Sequence, residues 1–529
     1  MWDSGWRQRV WQELSQEWDI LVIGGGITGA GILRRAVQEG YRTLLVEAGD
    51  FAFGTSSSSS KLIHGGIRYL RNKQYKVTRE SLREREWLLK EAPHLVTPLG
   101  FLMPCIHDRK MISMYGFGVF LYDLLVPKWK HFRLSRDQML KEFPSFDAEN
   151  LACGFLYYDA GMDDASMVLR LLREAVTAGG KALNYAKATS LLKDSNGLVR
   201  GAVISDRSSI GFGEVEVKAR VVINATGPWS DEVRAGINAP ARLRKIRGSH
   251  LVFSYDRLPL PHAVSIMHPR DHRAMFALPW EGVSIIGTTD CDHPSPLSAG
   301  EPYTTQEEIE YILQAANATF PALELNRSDI ISTFSGLRPV INTGKADPSK
   351  ESRTHAVWEE NGMVTVAGGK YTTFRIMAED ALRLALPFLA RQADLSHSKP
   401  YFSPLPVIKP PRDIAPGTWS KILGRYGGET AQVLECAGEE GNQPIYDLPS
   451  LWSELRWAAR TGAVEHLDDL LLRRVRIGIQ LPDGASREIP RVRAIVQSEL
   501  GWDDARWQDE LSRYQLIYKK AYSPIPSGF

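Results

Sequence analysis

The sequence predicts an α/β fold: a parallel-sheet domain, a mainly antiparallel sheet inserted into it, and an α-helical domain at the C-terminus. Three observations predict it. Ile20-Leu21-Val22-Ile23 runs directly into Gly24-Gly25-Gly26-Ile27-Thr28-Gly29, and a helical stretch and a second apolar run, Thr43-Leu44-Leu45-Val46, follow. Residues 240–345 alternate short apolar runs with turns, the pattern of an antiparallel sheet. Beyond a proline-rich stretch at 396–412, the spacing of apolar residues turns helical.

The first unit is strand, glycine turn, helix (30–39, stopped by Gly40), strand and acid, with Glu47 lying 21 residues after Gly26 (47 − 26). That order makes a Rossmann-like dinucleotide-binding βαβ unit. The glycines permit the turn and let backbone approach a pyrophosphate. The helix start offers unpaired N–H groups and partial positive charge to that anion. Glu47 can accept from a ribose diol.

The 529 residues leave room for two to four domains, and 43% apolar with 24% charged residues is ordinary for a globular chain. A net charge of +2 gives no bulk attraction to nucleic acid. Cys105, Cys153, Cys291 and Cys436 are far apart and form no CxxC pair, so neither a disulfide framework nor a metal site is expected, and a reducing compartment is. The first 20 residues lack the apolar core of a signal peptide. No stretch is long enough to span a bilayer; the nearest, 111–126, reads as a buried or interfacial helix. Trp2, Trp6, Val10, Leu14 and Trp18 form one stripe of an N-terminal amphipathic helix (1–18), opposite Arg7, Arg9, Glu13 and Glu17. That stripe is expected to dock on the protein's own body rather than at a membrane interface.

Next comes Thr55 with the serine run 56–60, followed by Lys61-Leu62-Ile63-His64-Gly65-Gly66, dense in hydroxyls and amides as a phosphate-wrapping loop requires. A charged, self-compensated helix follows at 74–91. A helix at 164–178 and strands at 182–192, 198–204 and 215–225 lead to the small-residue turn Thr226-Gly227-Pro228-Trp229. Within the antiparallel region a helix is expected at 306–320. Met363-Val364-Thr365-Val366-Ala367-Gly368-Gly369-Lys370 is a third strand-to-glycine turn, with a helix at 372–386 behind it. The domain reading is therefore 19–395 for the nucleotide-binding region (segments 19–105, 150–235 and 350–395, with a cap mainly at 236–349). A stiff linker spans 396–412 and a helical domain 413–529. In that domain 454–476 reads as one amphipathic helix whose Arg473, Arg474 and Arg476 are expected to make helix-end or interdomain ion pairs rather than to bind an anion.

Five stretches together resemble the FAD-dependent (aerobic, respiratory) glycerol-3-phosphate dehydrogenases and the related glycerophosphate oxidases. They are 23–31, 55–70, Asn224-Ala225-Thr226-Gly227-Pro228-Trp229, Ile286-Gly287-Thr288-Thr289-Asp290, and 368–375. The resemblance implies FAD, a Rossmann-like FAD-binding domain with an inserted substrate-binding cap sheet, and an α-helical C-terminal domain. It implies flavin contacts from Gly24, Gly26, Ile27, Thr28, Gly29 and Glu47 at the ADP end. Thr55, Ser56, Ser57, Ser60, Lys61, Leu62 and His64 follow in the serine loop, and Ala188, Gly227, Gly369, Lys370, Thr372 and Thr373 elsewhere. The serine run is more uniform than in the family, and Tyr371 stands where the family varies.

The expected chemistry is hydride transfer from sn-glycerol 3-phosphate to flavin N5, giving dihydroxyacetone phosphate. Arg338 and Arg353 suit the phosphate, because a guanidinium fork matches its oxygens in pairs. Lys370 would hold the substrate oxygen or the flavin's pyrimidine edge. His250 is the first choice for the base, with Tyr69 and His64 as secondary candidates. The resemblance further implies a quinone acceptor and a cytoplasmic location peripheral on the inner face of the membrane, and it allows a homodimer; the net charge points to no nucleic-acid partner. Three alternatives stay open: an oxidase that reduces O2 to H2O2, an amine or hydroxy-acid oxidase of the same flavin fold, and a non-enzymatic redox sensor.

Overall fold

The structure is a computed structural model and describes residues 2–66, 75–106, 109–125, 131–293, 301–348, 351 and 354–524. Two sheets organise it. The first runs His355–Glu360, Met363–Gly368, Glu214–Asn224, Trp18–Ile23, Thr43–Val46, Lys181–Leu183 in spatial order, parallel from the second strand onward. Trp18–Ile23 sits in the middle, and successive residues point to opposite faces. Ile20 and Val22 pack among the helices Ile27–Gln38, Asp164–Thr177 and Phe374–Ala385; Leu21 and Ile23 pack on the other face. A strand buried on both faces must be apolar at every position, as Ile20-Leu21-Val22-Ile23 is. The hairpin Ala186–Lys193 and Val199–Asp206 pairs onto Glu214–Asn224.

Among the described residues the second sheet has ten strands, and nearly all its pairings are antiparallel. Its centre is Leu243–Ser254 against Ile330–Ile341, in register from Leu243↔Ile341 to Phe253↔Ile330. Val96–Ile106 and Leu151–Met162 belong to this sheet too, paired with each other. The reading by segments had put both with the nucleotide domain. Alternation of apolar residues specifies a strand but not which sheet it joins.

The N-terminal helix is shorter than its stripe suggested. It spans Trp6–Gln12, and Trp18 opens the first strand instead. It docks on the body: Trp2 stacks on Phe51 at 5.0 Å and Leu14 is fully buried. Arg7, expected on the solvent face, is buried, donating to Asn184 O, Tyr185 O and Asp206. The helix Arg109–Leu125 behaves oppositely. Val119 and Tyr122 face the core, while Met114, Phe117, Phe120, Leu124 and Leu125 face solvent, Phe117 63% and Leu124 62% exposed.

The stretch 396–412 carries no helix or strand, yet it is strapped down rather than free: Tyr401 and Phe402 are buried, and Tyr401 O accepts from Arg34 Nε. The single helix expected at 454–476 is broken. Trp452–Thr461 ends at Gly462, Ala463 adopts φ 52, and a five-residue π turn, Leu470–Arg474, precedes Arg476 at φ 64. The break turns three arginines inward. No helix among the described residues is long and apolar enough to cross a membrane.

Candidate active site

The carboxyl ends of the first sheet open into a cavity of about 820 Å³, within the range of small-molecule sites. Ile23, Glu47, Ala225 and Gly368 mark those ends on its wall, as expected where strands of an open sheet stop. The turn after Trp18–Ile23 admits only glycine. Gly24 sits at φ 117, where a Cβ would meet Ala225 O at 2.5 Å, and a Cβ on Gly29 would meet Gly24 O at 1.8 Å. Ser56 Oγ accepts from Ile27 N at the helix start (3.0 Å), joining the serine loop to the glycine turn. Glu47 accepts from Gly25 N at 2.7 Å and Gly49 N at 2.9 Å. Burial raises its carboxyl, and those amides oppose the rise.

The roof comes from the second sheet. His250 and Arg338 reach the cavity from neighbouring strands, Leu243–Ser254 and Ile330–Ile341, and Gly248 faces Gly336 between them. These glycines are clearance. A Cβ on Gly248 would stand 2.4 Å from Arg338 Nη2, one on Gly336 2.5 Å from Ser58 O, and one on Gly287 2.2 Å from the His250 ring. Small residues thus let the roof settle onto the serine loop while leaving room for the His250 and Arg338 side chains.

His250 is 1% exposed and stacks on Phe334 at 4.6 Å. Its Nε2 lies 2.9 Å from Ser60 Oγ. Burial holds the imidazole well below its ordinary value, and Arg338 and then Lys61 push it the same way. It is neutral at pH 7, as a general base must be. Arg338 pairs with Asp290, and also donates to Thr289 O (3.1 Å) and Thr288 Oγ1 (3.0 Å). Asp290 in turn holds Arg273 at 2.7 Å. Lys370 Nζ donates to Ser81 Oγ (2.8 Å) on the helix Tyr75–Glu91.

The cavity wall brings together Gly24, Gly26, Ile27, Thr28, Glu47, Thr55, Ser56, Ser60, Leu62, His64, Ala188, Gly227, His250, Arg338, Gly369, Lys370 and Thr372. Four other expected residues do not line it. Gly29 packs the turn against its helix, and Thr373 Oγ1 bonds to Lys370 O. Ser57 offers its carbonyl to the interior, and Lys61 points inward to Asp164 with Nζ 2.8 Å from both oxygens. A fully buried ammonium needs such a partner, which is why its side chain turns from the cavity. Tyr69 and Arg353 lie outside the described residues. Asp290 and Asp164 were missed as site residues. Asp290 stood in a quoted stretch, Thr288-Thr289-Asp290, and its place beside an arginine 48 residues away was the signal that only the sheet register supplies.

These residues fit a flavin dinucleotide. Gly227 sits at φ 56 on the cavity wall with open space where a Cβ would stand, a cradle for a ligand held close to backbone. A glycine turn and helix start lie at one end, and a histidine and an arginine lie across from the Gly368-Gly369-Lys370 turn at the other. That architecture is the site of a flavin-dependent oxidoreductase.

Comparison with known proteins agrees. Residues 19–376 match the family described as FAD dependent oxidoreductase, and residues 377–507 match the C-terminal domain of alpha-glycerophosphate oxidase. The glycerol-3-phosphate dehydrogenase 2 of Mycobacterium bovis is 35% identical over 532 residues, covering 96% of this chain and 89% of that protein. The mitochondrial glycerol-3-phosphate dehydrogenase of Homo sapiens is 33% identical over 548 residues, covering 96% and 74%. The glycerol-3-phosphate dehydrogenase from Bacillus halodurans, solved in complex with FAD, matches with a TM-score of 0.77 and 28% identity over 100% of both chains. L-alpha-glycerophosphate oxidase from Mycoplasma pneumoniae shares the fold, with a TM-score of 0.57 and 18% identity over 74% of this chain and 100% of that one. The chain therefore belongs to the FAD-dependent glycerol-3-phosphate dehydrogenase family, related to the glycerophosphate oxidases, and its cofactor is FAD.

Proposed function

We propose that this protein oxidises sn-glycerol 3-phosphate to dihydroxyacetone phosphate and passes the electrons to a membrane quinone. The observation that carries the reading is that His250, Arg338 and Lys370 share one wall system with the glycine turn of the nucleotide site. FAD, when bound, supplies the ring that takes the hydride. The chain's residues do the rest. Arg338 holds the phosphate, its charge partly balanced by Asp290, so that binding a dianion exchanges one carboxylate partner for a stronger one. His250, kept neutral, takes the hydroxyl proton at Nε2, the nitrogen beside Ser60 Oγ. Lys370 sits on the turn before the helix Phe374–Ala385, whose N-terminus adds positive potential at the same edge. Arg353 is proposed as the second phosphate cation and Tyr69 as a substrate contact.

A quinone acceptor requires access to lipid, and the outward face of Arg109–Leu125 supports that. Its exposed Met114, Phe117, Phe120 and Leu124 form one apolar stripe, with Lys110, Arg133 and Arg136 exposed nearby in sequence. Peripheral attachment through this stripe, on the cytoplasmic side, completes the reading.

The purified holoprotein tests it. Anaerobic addition of glycerol 3-phosphate should bleach the flavin's visible absorbance, and a quinone analogue should restore it. No bleaching would remove the substrate assignment. Bleaching followed by stoichiometric peroxide in air, with no response to quinone, would select the oxidase.

A further inference from the structure

Behind the serine loop, on the side away from the cavity, lies a sealed group of charges that the reaction itself does not use. We propose that Lys61, Asp164 and Arg476 are positioning residues: together they set the Ser57–Ser60 backbone against the flavin site and aim Ser60 at His250. The inference rests on the reading of His250 given above.

The connections are direct. Asp164 is the first residue of the helix Asp164–Thr177 and is fully buried. Its Oδ2 accepts from Ser59 N (3.0 Å) and Ser59 Oγ (2.7 Å), and both carboxylate oxygens accept from Lys61 Nζ at 2.8 Å. Arg476 arrives from the C-terminal helical domain. Its Nη1 reaches Asp164 at 3.0 Å and Asp163 at 3.2 Å, and its Nη2 donates to Ser57 O at 2.9 Å. Lys61 Nζ donates to the same Ser57 oxygen at 2.6 Å. The loop is therefore held at its carbonyl, at an amide and at a hydroxyl within three residues. Ser60, the next residue, puts its Oγ 2.9 Å from His250 Nε2. A second route reaches the same ring: Phe334 is stacked on His250 at 4.6 Å and lies 4.7 Å from Lys61 Nζ.

Two further observations mark this as a built device. Lys61 (φ 59) and Arg476 (φ 64) both sit in the left-handed region, costly for side-chain-bearing residues and maintained only where surrounding structure dictates it. Tyr371, on the third glycine turn, donates to Asp164 O at 2.5 Å, so the serine loop and the Gly368-Gly369-Lys370 turn share one anchor. Burial and Arg476 bring the Lys61 ammonium down to about 7, against the pull of Asp164, while Lys61 and Arg476 together hold Asp164 below the usual carboxylate range. Arg476 reaches Ser57 O with Nη2 and both carboxylates with Nη1, a two-pronged reach that a lysine's single compact ammonium cannot reproduce.

The test uses Arg476→Lys, which keeps the charge, and Lys61→Met, which leaves Arg476 in place, both as full-length holoproteins. FAD release is read by the fluorescence of freed flavin, and the reductive half-reaction by anaerobic stopped flow with glycerol 3-phosphate. For either variant that unfolds cooperatively, FAD should leave at least about tenfold faster and flavin reduction should slow at least about tenfold, with the substrate concentration for half-maximal rate unchanged. Should one variant fail to fold, the other decides. Folded variants that keep FAD and reduce it at the parent rate overturn the proposal. A change confined to substrate affinity overturns it as well, because it would assign the cluster to the phosphate site. If glycerol 3-phosphate does not reduce the parent flavin, the substrate reading fails on its own, and the release rate still tests the loop.

Discussion

Arg473 and Arg474 on the one hand and Arg338, with Arg273 sharing its carboxylate, on the other differ in what surrounds them. Arg473 and Arg474 are sealed. Asp50 lies 2.5 Å from Arg473 Nε and 2.7 Å from Arg474 Nη2, and Asp468, Asp469 and Glu301 also pair with Arg473. Burial alone would raise the Asp50 carboxyl, but Arg474 and Arg473 outweigh it and hold it low. Arg338 lines the cavity, and its partner Asp290 is shared with Arg273. The first set is a clasp between the C-terminal domain and the nucleotide domain. The second places a guanidinium on the cavity wall. The lesson is that a cation's role is read from whether it is sealed among carboxylates or stands on a cavity wall, not from its charge.

The largest expected effect comes from opening the clasp. Asp50→Ala leaves Arg473 and Arg474 facing a buried gap and should cost about 3–5 kcal/mol of stability, read by denaturant unfolding of the holoprotein. An unfolding midpoint equal to the parent's would erase the distinction between the two sets. His250→Asn comes next. Flavin reduction should slow by ~10²–10⁴-fold with FAD still bound, measured by anaerobic stopped flow. Unchanged reduction would remove His250 as the base. Arg338→Ala should mainly raise the substrate concentration required, by about 10–100-fold, as expected for a lost charge-assisted pair, with little change in thermal stability. A stability loss matching that of Asp50→Ala would put Arg338 with the clasp.

The smallest effect is on pH dependence. His250 titrates near ~6.5 in the unfolded chain and well below that in the folded one, for reasons of burial, Arg338 and Lys61. The unfolded state therefore binds the extra proton first as pH falls. This contribution is complete above about 6.5 and is lost progressively below it. His250→Asn should lose less stability than the parent between pH 7 and pH 5. Parallel stability curves would show that the imidazole is not held down as described.

Much of the nucleotide domain was legible because its signals are local. A strand buried on both faces must be apolar throughout, and Gly29 is required by a backbone contact with Gly24, five residues before it, whereas Gly24 is also required by Ala225 O from a strand far away in sequence. His250, Arg338 and Lys370 could be named from short stretches, and the fold brings all three to one cavity. The inward turn of Lys61 was not legible, because Asp164 and Arg476 lie 103 and 312 residues apart in sequence from their partners in the cluster. Nor was the place of 96–106 and 151–162 in the second sheet, which depends on which edge was free to pair.

The sequence alone determined that the N-terminal segment carries an apolar stripe and that 111–126 is an apolar helix, since periodicity and apolar content are properties of neighbouring residues. Only the tertiary structure decided which way each face turns. Trp2 and Leu14 found a core to enter and Arg7 was drawn in with Asp206, while Phe117 and Phe120 were left outward because Val119 and Tyr122 filled the space beneath. Whether an apolar stripe is buried depends on the area the rest of the chain has left uncovered, and no local pattern encodes that area.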